Sequence, residues 1–489
     1  MRIVIVGAGR TGTQLARRLV QEKHDVSLIE SSEERARHAS NRLDCLVLHD
    51  EGNSLTALEE AGIAKADALV CVTSSDEVNM IICGLAASRY PDLLKIARVR
   101  NDDYVKLSRN VRDTGFLEVA PGQKGPVLGI DYFVHPDVET ARAVLRSISH
   151  GAIGNILDFA GTSYELGSIN VAEGSAFDGL CLIDYRSVVR EDSLITLIEK
   201  EAGSSVQCLF PTGRTVLRKG DRIHIIAPEN QMQHVFRYAG RHEKPLRRIG
   251  IVGGGHIGAL IAEGVFGKER GDKKKAGLFS VFSSFMPKTS RRVVIIEQNY
   301  EVCKELSARF PEALVLNEDV SDENFVAEER IGDLDLIITA TANQELNIIA
   351  AIYLKSLGVR RAIAMVSGSG HENIARQLGV DVVIPMQSVV VDSILSNLMG
   401  KNIREVYSLG DGEQEIFESE IGEDSPVVEK PITEFKLSKG GLIILVRRED
   451  TSFIPRGDYI FKPGDKIVFI AKSGSEEELQ ALFGKPKKE

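Results

Sequence analysis

The sequence predicts an α/β protein of two tandem modules, each a parallel-sheet lobe followed by a small α+β lobe. Three observations predict it. Short apolar runs alternate with helical patterns along the first 135 residues, the glycine cluster Gly7-Ala8-Gly9-Arg10-Thr11-Gly12 interrupts the first alternation, and the whole arrangement is written twice in 489 residues. Strands alternating with helices imply βαβ units and a parallel sheet. A chain of this length has room for about three or four domains.

The elements follow in order. Strands are expected at 2–6, 26–30, 45–48, 68–72, 94–99 and about 130–134, with helices between them, as where Leu15, Leu19 and Val20 recur at helical spacing after the glycines. A helix over 136–149 leads into a stretch of short alternating strands, 150–230, with a turn at Lys219-Gly220-Asp221. The second writing then begins: IGIVGGGHIG (249–258) answers IVIVGAGRTG (3–12), Glu297 answers Glu30, Asn347 answers Asn79, and 455–471 answers 211–227. These pairs stand 246, 267, 268 and 244 positions apart. A period this long is a duplicated multi-lobe module rather than a solenoid repeat. The predicted domains are a parallel-sheet lobe over 1–135, a linker helix and small lobe over 136–240, a second parallel-sheet lobe over 246–385, and a second linker helix and small lobe over 386–485.

Composition removes several function classes. Hydrophobic residues are 43 % and charged residues 27 % of the chain, which excludes disorder as a whole. The net charge is −10, which argues against a protein that coats nucleic acid. No run of about 18 apolar residues occurs, and the start MRIVIVGAGRTG lacks the apolar core of a secretory signal. The six cysteines form no CxxC pair, so a zinc site or disulfide framework is not expected, and a reduced cytosolic protein is.

The glycine cluster carries the chemistry. It follows a strand, opens a helix, and has an acidic residue, Glu30, at the end of the next strand, which is the context a Rossmann-like dinucleotide turn requires. The first glycine permits the tight turn, the second lets a pyrophosphate approach the backbone, and the third packs helix on strand. Free N–H groups at the helix start then face the phosphates. Glu30 can accept from ribose hydroxyls and disfavours a 2′-phosphate, so NAD(H) or an adenine nucleotide is expected over NADP(H). Arg98 and Arg100, at the carboxyl end of the fifth strand, are placed to meet phosphates. The second copy keeps Gly253, Gly255, Gly258 and Glu297, but has His256 for Arg10, Met365 for Arg98 and Ser367 for Arg100. Weaker or different binding is expected there.

Nothing in the sequence supplies a reaction. Tyr300 and Lys304 match the YxxxK of short-chain reductases, but in a position that chemistry does not use. The histidines are scattered, and no HExxH, Walker A or GxSxG pattern occurs. An NAD-dependent oxidoreductase remains the alternative, and lacks a recognisable proton-transfer constellation. A redox-sensing transcriptional regulator would need a basic helix-turn-helix, and no such element appears.

The stretches VGAGRTG (6–12), VTSSDEVNM (72–80), IARVRNDDYV (96–105) and IVGGGHIG (251–258), with the paired KGD and PGD turns, resemble the TrkA family. Its members are the peripheral, nucleotide-binding subunits of bacterial Trk potassium-uptake systems. The resemblance is collinear over essentially the whole chain, and each module resembles an RCK (regulator of potassium conductance) module. It implies a non-enzymatic gating subunit on the cytosolic face of a Trk-type potassium-translocating membrane protein, controlled by NAD(H) and ATP or ADP. It also implies a homotetramer carrying eight RCK modules, with no metal or nucleic acid assigned. Residue by residue, it places Ala8, Arg10 and Thr11 with the phosphate turn, Arg10 toward terminal phosphates, Glu30 at the ribose, and Thr73, Ser74 and Arg98 beside the phosphates. Asp50 and Glu51 stand where the family tends to have Gly-Asp near the adenine. Their second-copy counterparts are His256 and Ile257 in the turn, Glu297, Asp319 and Thr341.

Two stretches depart from the family. The segment 115–129 looks longer than usual. About twenty extra residues lie around 267–291, where eight Lys/Arg between 268 and 292 accompany Leu278, Phe279, Phe282, Phe285 and Met286 at near-helical spacing. A basic amphipathic segment of this kind suits an anionic membrane surface or a partner groove.

Overall fold

The computed structural model describes residues 1–106, 127–149, 151, 156–159, 162–202, 205–240, 246–266, 292–322, 325, 328–398, 404–409, 414–434, 440–449, 451–472 and 475–483. Most of the 115–129 segment and nearly all of the 268–292 segment lie outside them.

The first parallel lobe runs β1 (Arg2–Val6), α1 (Arg10–Gln21), β2 (Asp25–Glu30), α2 (Glu33–Ser40), β3 (Leu46–His49), α3 (Leu55–Glu60), β4 (Ala68–Cys71), α4 (Asp76–Arg89), β5 (Leu94–Arg98), α5 (Asp102–Lys106), β6 (Tyr132–Val134) and α6 (Pro136–Ser149). Its six strands lie in the order β3-β2-β1-β4-β5-β6, all paired in parallel. Ile3, Val4 and Ile5 of β1 are wholly buried, as expected of a central strand covered on both faces. The helix starts are set by local chemistry: Ser32, Ser54 and Ser75 each accept a backbone N–H from the first turn of the following helix. The order reverses between β1 and β4, which places the ligand crevice at the carboxyl ends of these two strands.

The first small lobe comprises β7 (Ile156–Asp158), β8 (Tyr164–Asn170), α7 (Tyr185–Val188), β9 (Leu194–Ala202), β10 (Ser205–Leu209), β11 (Arg222–Pro228) and α8 (Glu229–Tyr238), with an antiparallel sheet ordered β10-β9-β11-β8-β7. The second parallel lobe repeats the first: β12 (Arg248–Val252), α9 (His256–Phe266), β13 (Arg292–Glu297), α10 (Tyr300–Arg309), β14 (Leu314–Asn317), β15 (Leu336–Thr339), β16 (Arg361–Val366) and β17 (Val382–Pro385), in the order β14-β13-β12-β15-β16-β17. Helices Gln344–Ser356, Ser369–Gln377 and Met386–Leu398 complete it. The second small lobe has an antiparallel sheet ordered β18-β19-β22-β20-β21, from β18 (Arg404–Leu409), β19 (Gln414–Glu420), β20 (Gly441–Arg448), β21 (Thr451–Phe453) and β22 (Lys466–Lys472), with a last helix at Glu476–Phe483.

The lobes associate by kind. The two parallel lobes form one unit, 1–153 with 245–398, and the two small lobes form another, 154–244 with 399–489. The sequence grouping sets the linker helices with the small lobes; by packing they belong to the parallel unit, because each covers the other copy. Val138, Ala141, Val144, Leu145 and Ile148 of α6 share a core with Ile249, Ile251 and Ala259 to Ala262 of the second copy. A methyl group on Gly264 of α9 would stand 2.2 Å from Leu145, so the two helices touch closely. Reciprocally, helix Met386–Leu398 packs on α1 and β6, and Arg18 meets Asp392 at 2.6 Å. Within the small-lobe unit, the sheets face each other through Leu166, Leu197 and Ile226 of one lobe and Ile416, Ile444 and Ile470 of the other.

Candidate nucleotide-binding turns

The first turn is shaped for a ligand. Gly7 has φ +106°, a conformation that L side chains rarely adopt, and its N–H donates to the Ile29 carbonyl at 2.8 Å. A methyl group on Gly12 would lie 1.9 Å from the Gly7 carbonyl oxygen, so only glycine lets α1 start this close to the strand. A methyl group on Gly9 would meet nothing within 4 Å. The middle glycine therefore leaves open space beside the backbone, which is the room a pyrophosphate needs. No side chain caps α1, so its first N–H groups are free to bind an anion. Arg10 is exposed and Thr11 half-buried at this helix start. Thr13, which the sequence reading did not single out, ties the turn by donating from Oγ1 to the Ala8 carbonyl at 3.0 Å.

Glu30 is buried, and its carboxylate holds the turn from beneath. Oε2 accepts the Ala8 N–H at 2.7 Å, Oε1 accepts the Ser32 N–H at 2.9 Å, and Arg35 approaches at 3.1 Å. Oε2, with one donor, keeps lone-pair capacity for a ribose hydroxyl, whereas Oε1 is taken by Ser32 and Arg35, so the expected ribose acceptor is also the anchor of the glycine turn. Asp50 and Glu51 follow β3 on the surface. The Asp50 N–H donates to the Glu30 carbonyl at 3.2 Å, which brings this corner beside Glu30.

The ends of β4 and β5 are joined by a residue that the sequence reading treated only as a repeat landmark. Asn79, wholly buried, accepts through Oδ1 from the Thr73 N–H (2.9 Å) and hydroxyl (2.8 Å), and donates through Nδ2 to the carbonyls of Thr73 (3.2 Å) and Arg98 (2.8 Å). Asp76 accepts from the N–H groups of Arg100 and Asn101 at 2.7 and 2.8 Å. Ser74 is exposed at the mouth. Arg98 is half-buried, and its Nε is buried with no hydrogen-bond partner. Burial, and then the neighbouring Arg100 cation, pull its pKa below the ordinary arginine value, against the opposing pull of Asp76 and Asp137. An unsatisfied donor in a crowded cationic corner is where an anion binds well.

The second turn keeps the frame and loses the arginines. Gly253 has φ +97°, a methyl on Gly258 would lie 2.0 Å from the Gly253 oxygen, and Gly255 again faces open space. Glu297 accepts the N–H groups of Gly254 (2.7 Å) and Asn299 (2.8 Å). Asn347 repeats the clasp on Thr341 and on the carbonyl of Met365. Gln344 takes the place of Asp76, accepting the Ser367 N–H at 3.0 Å. Met365 is 1 % exposed and belongs to the core, so this turn has no counterpart of Arg98. Asp319 is exposed after β14 and Ile257 half-buried in the turn.

His256 does not stand free at its helix start. Nδ1 lies 2.9 Å from Asp137 Oδ2 and Nε2 lies 3.4 Å from Asp102 Oδ2, so first-copy carboxylates take both nitrogens. His135 joins the cluster, 3.1 Å from the other oxygen of Asp102 and 5.7 Å from the His256 ring. The hydrogen bond that His256 donates to Asp137 raises the His256 pKa, against partial burial, with further support from the charges of Asp102 and Asp137. Burial works to raise Asp137, and is outweighed by the His256 hydrogen bond and the charges of His135, His256 and Arg100, which hold it below the ordinary value. Sequence spacing carried no sign of this cluster, because its members come from opposite copies.

Tyr300 and Lys304 are exposed on α10, with Lys304 4.0 Å from Glu301. Among the described residues no group of three or more His, Cys, Asp or Glu side chains is arranged to hold a metal, and no helix is long and apolar enough to cross a membrane.

The doubled sheet order, the two glycine turns and the paired small lobes define a class: tandem two-lobe proteins whose parallel lobes carry nucleotide turns. The TrkA-N domain model matches residues 3–116 and 282–385, and the TrkA-C domain model matches 416–484. The chain belongs to the TrkA family. It is 28 % identical to the Trk system potassium uptake protein TrkA of Azorhizobium caulinodans, over 99 % of this chain and 98 % of that one. It is 26 % identical to the protein of the same name from Haemophilus influenzae, over 99 % and 98 %. To the TrkA homolog of Archaeoglobus fulgidus it is 28 % identical, over 99 % and 100 %. Among solved structures, the GsuK RCK domain matches with a TM-score of 0.55 at 17 % identity, covering 99 % of this chain and 94 % of that one. The GsuK channel bound to NAD matches with a TM-score of 0.56 at 17 % identity, covering 99 % and 78 %. The fold is therefore that of tandem RCK modules.

Proposed function

We propose that this chain is the regulatory subunit of a Trk-type potassium-translocating membrane protein. It sits at the inner face of the membrane and gates its partner according to bound NAD(H) or adenine nucleotide, without catalysing a reaction. The assembly is a homotetramer of eight RCK modules. The observation that carries the reading is the first turn: an open cradle at Gly9, free N–H groups at the start of α1, and the unpartnered buried Nε of Arg98. Family membership directs this binding toward control of potassium uptake, since the relatives are named for it. The buried Glu30 favours a free 2′-hydroxyl over a 2′-phosphate.

The test has two arms. Thermal shift with NAD, NADH, ATP, ADP and NADPH reads binding, since a selective ligand raises apparent stability by mass action. Potassium flux through the membrane subunit, reconstituted with and without this chain, reads gating. The expected result is stabilisation by an adenine nucleotide without a 2′-phosphate, and flux that changes with nucleotide only when this chain is present. Flux indifferent to the chain, or sustained oxidation of NADH with a small-molecule substrate, overturns the proposal.

A further inference from the structure

We propose that Asp137 is a counter-ion shared between the two glycine turns, so that phosphate bound at one turn weakens binding at the other. The proposal rests on the reading of both turns as nucleotide sites. Asp137 opens α6 of the first copy, yet its Oδ2 lies 2.9 Å from the Nδ1 of His256, the first helical residue after the second glycine turn. Arg98 of β5 pairs in register with Val134 of β6, three residues before Asp137, and the charges of Arg98 and Arg100 act on that of Asp137. The groups around it are Arg98 at the end of β5 and Arg100 beyond it, Asp102 of α5, His135 ahead of α6, and His256 of α9, while Glu139 and Arg142 on α6 pair with each other at 2.8 Å.

Asp137 therefore stands between His256, at the start of α9, and the two arginines at the carboxyl end of the first sheet. A phosphate in the first turn engages Arg98, and Asp137 is left to His256, which is then less available to an anion at the start of α9. A phosphate in the second turn draws on His256, and Asp137 closes on Arg98 and Arg100, where it competes with the first-turn phosphate. The effect runs both ways with one coupling free energy, as linkage demands. The device is not a by-product of duplication. In the second copy, Gln387 stands in the place of Asp137, Ser369 in that of Asp102, and Met365 and Ser367 in those of Arg98 and Arg100.

The chain has no tryptophan, so Glu33→Trp, at the start of α2 three residues beyond Glu30, gives a fluorescent signal local to the first turn. Titration of the full-length reporter with ADP is repeated with His256→Gln, with Asp137→Asn and with both. His256→Gln should weaken ADP at the first turn by roughly fivefold or more, the low end of site-to-site coupling, although His256 belongs to the other turn. His256→Lys, which keeps a cation, should restore the affinity. In the Asp137→Asn background, His256→Gln should have no effect. Unchanged first-turn affinity in His256→Gln overturns the proposal, and so does a loss that persists without Asp137. A parent reporter with no saturable response to ADP while a separate calorimetric titration of the unmodified chain also shows none sinks the nucleotide reading itself, and this coupling with it.

Discussion

Asn79 donates from Nδ2 to the main-chain oxygen of Arg98 across 2.8 Å, and so links the end of β4 to the end of β5 beneath the first phosphate turn. Its amide orientation is fixed by its surroundings, since Oδ1 faces two donors of Thr73 while Nδ2 faces two carbonyls. Asn347 does the same for Thr341 and Met365. Asn79→Ala strands the Thr73 N–H and the Arg98 carbonyl in a buried place. At about 1–3 kcal/mol for each of these two unsatisfied groups, a loss of about 2–6 kcal/mol in stability is expected, read as a lower melting temperature. Asn79→Asp should do no better, because a carboxylate would then face the carbonyl of Arg98.

Arg98 and Met365 occupy the same position in the two sheets and have opposite roles. Arg98 ends with a buried Nε that lacks a partner, whereas Met365 is sealed in the core. Arg98→Ala should therefore weaken nucleotide binding at the first turn by at least about tenfold, which is about 1.4 kcal/mol and close to the lower end for a hydrogen bond to a charged group. Combined with Arg10→Ala the loss should be larger. Met365→Leu should leave binding at both turns unchanged. Calorimetric titration with ADP and with NAD distinguishes these outcomes, and an unaltered affinity in the double arginine variant removes the phosphate assignment.

Glu30 combines two duties that substitutions separate. Its oxygens hold the N–H groups of Ala8 and Ser32 whether or not a nucleotide is bound. Glu30→Ala leaves the Ala8 N–H buried without its acceptor, so stability without nucleotide should fall by about 1–3 kcal/mol. Glu30→Gln keeps one acceptor and removes the negative charge. It should retain most of that stability and narrow the preference for NADH over NADPH, measured as the ratio of the two dissociation constants.

Much of this architecture is legible in the chain itself. The repeat of GAGRTG as GGGHIG, and of DEVN as QELN, marks the two sheets, and alternation of apolar runs marks their strands, because buried parallel strands and glycine turns leave short, local patterns. The clasp by Asn79 was visible only as a residue kept in both copies. Asp102, Asp137 and His256 were invisible as a group, since α6 reaches its partners by crossing to the other copy, and no local pattern records which lobe a linker helix covers.

The cross-copy cluster makes stability depend on pH, with a definite sign. His256 has its folded pKa raised above 6.5 by Asp137, so its contribution is complete below 6.5 and is lost as the pH climbs through the raised value. Asp137 has its folded pKa lowered below 3.8, so its contribution is complete above that value and is lost as the pH falls through the lowered one. The contact between the two copies is therefore strongest between these limits, across mildly acidic pH, and weakens on the alkaline side as the imidazole loses its proton. Melting temperatures measured from pH 5 to 8.5 should decline through that alkaline step. In His256→Gln the step should be absent, and its values should meet those of the parent on the alkaline side of the step, where the parent has lost the same charge. Asp137→Asn should also shrink the step, since it removes the main cause of the raised pKa. A parent and a His256→Gln variant whose melting temperatures run parallel across the whole range would assign the pH response elsewhere.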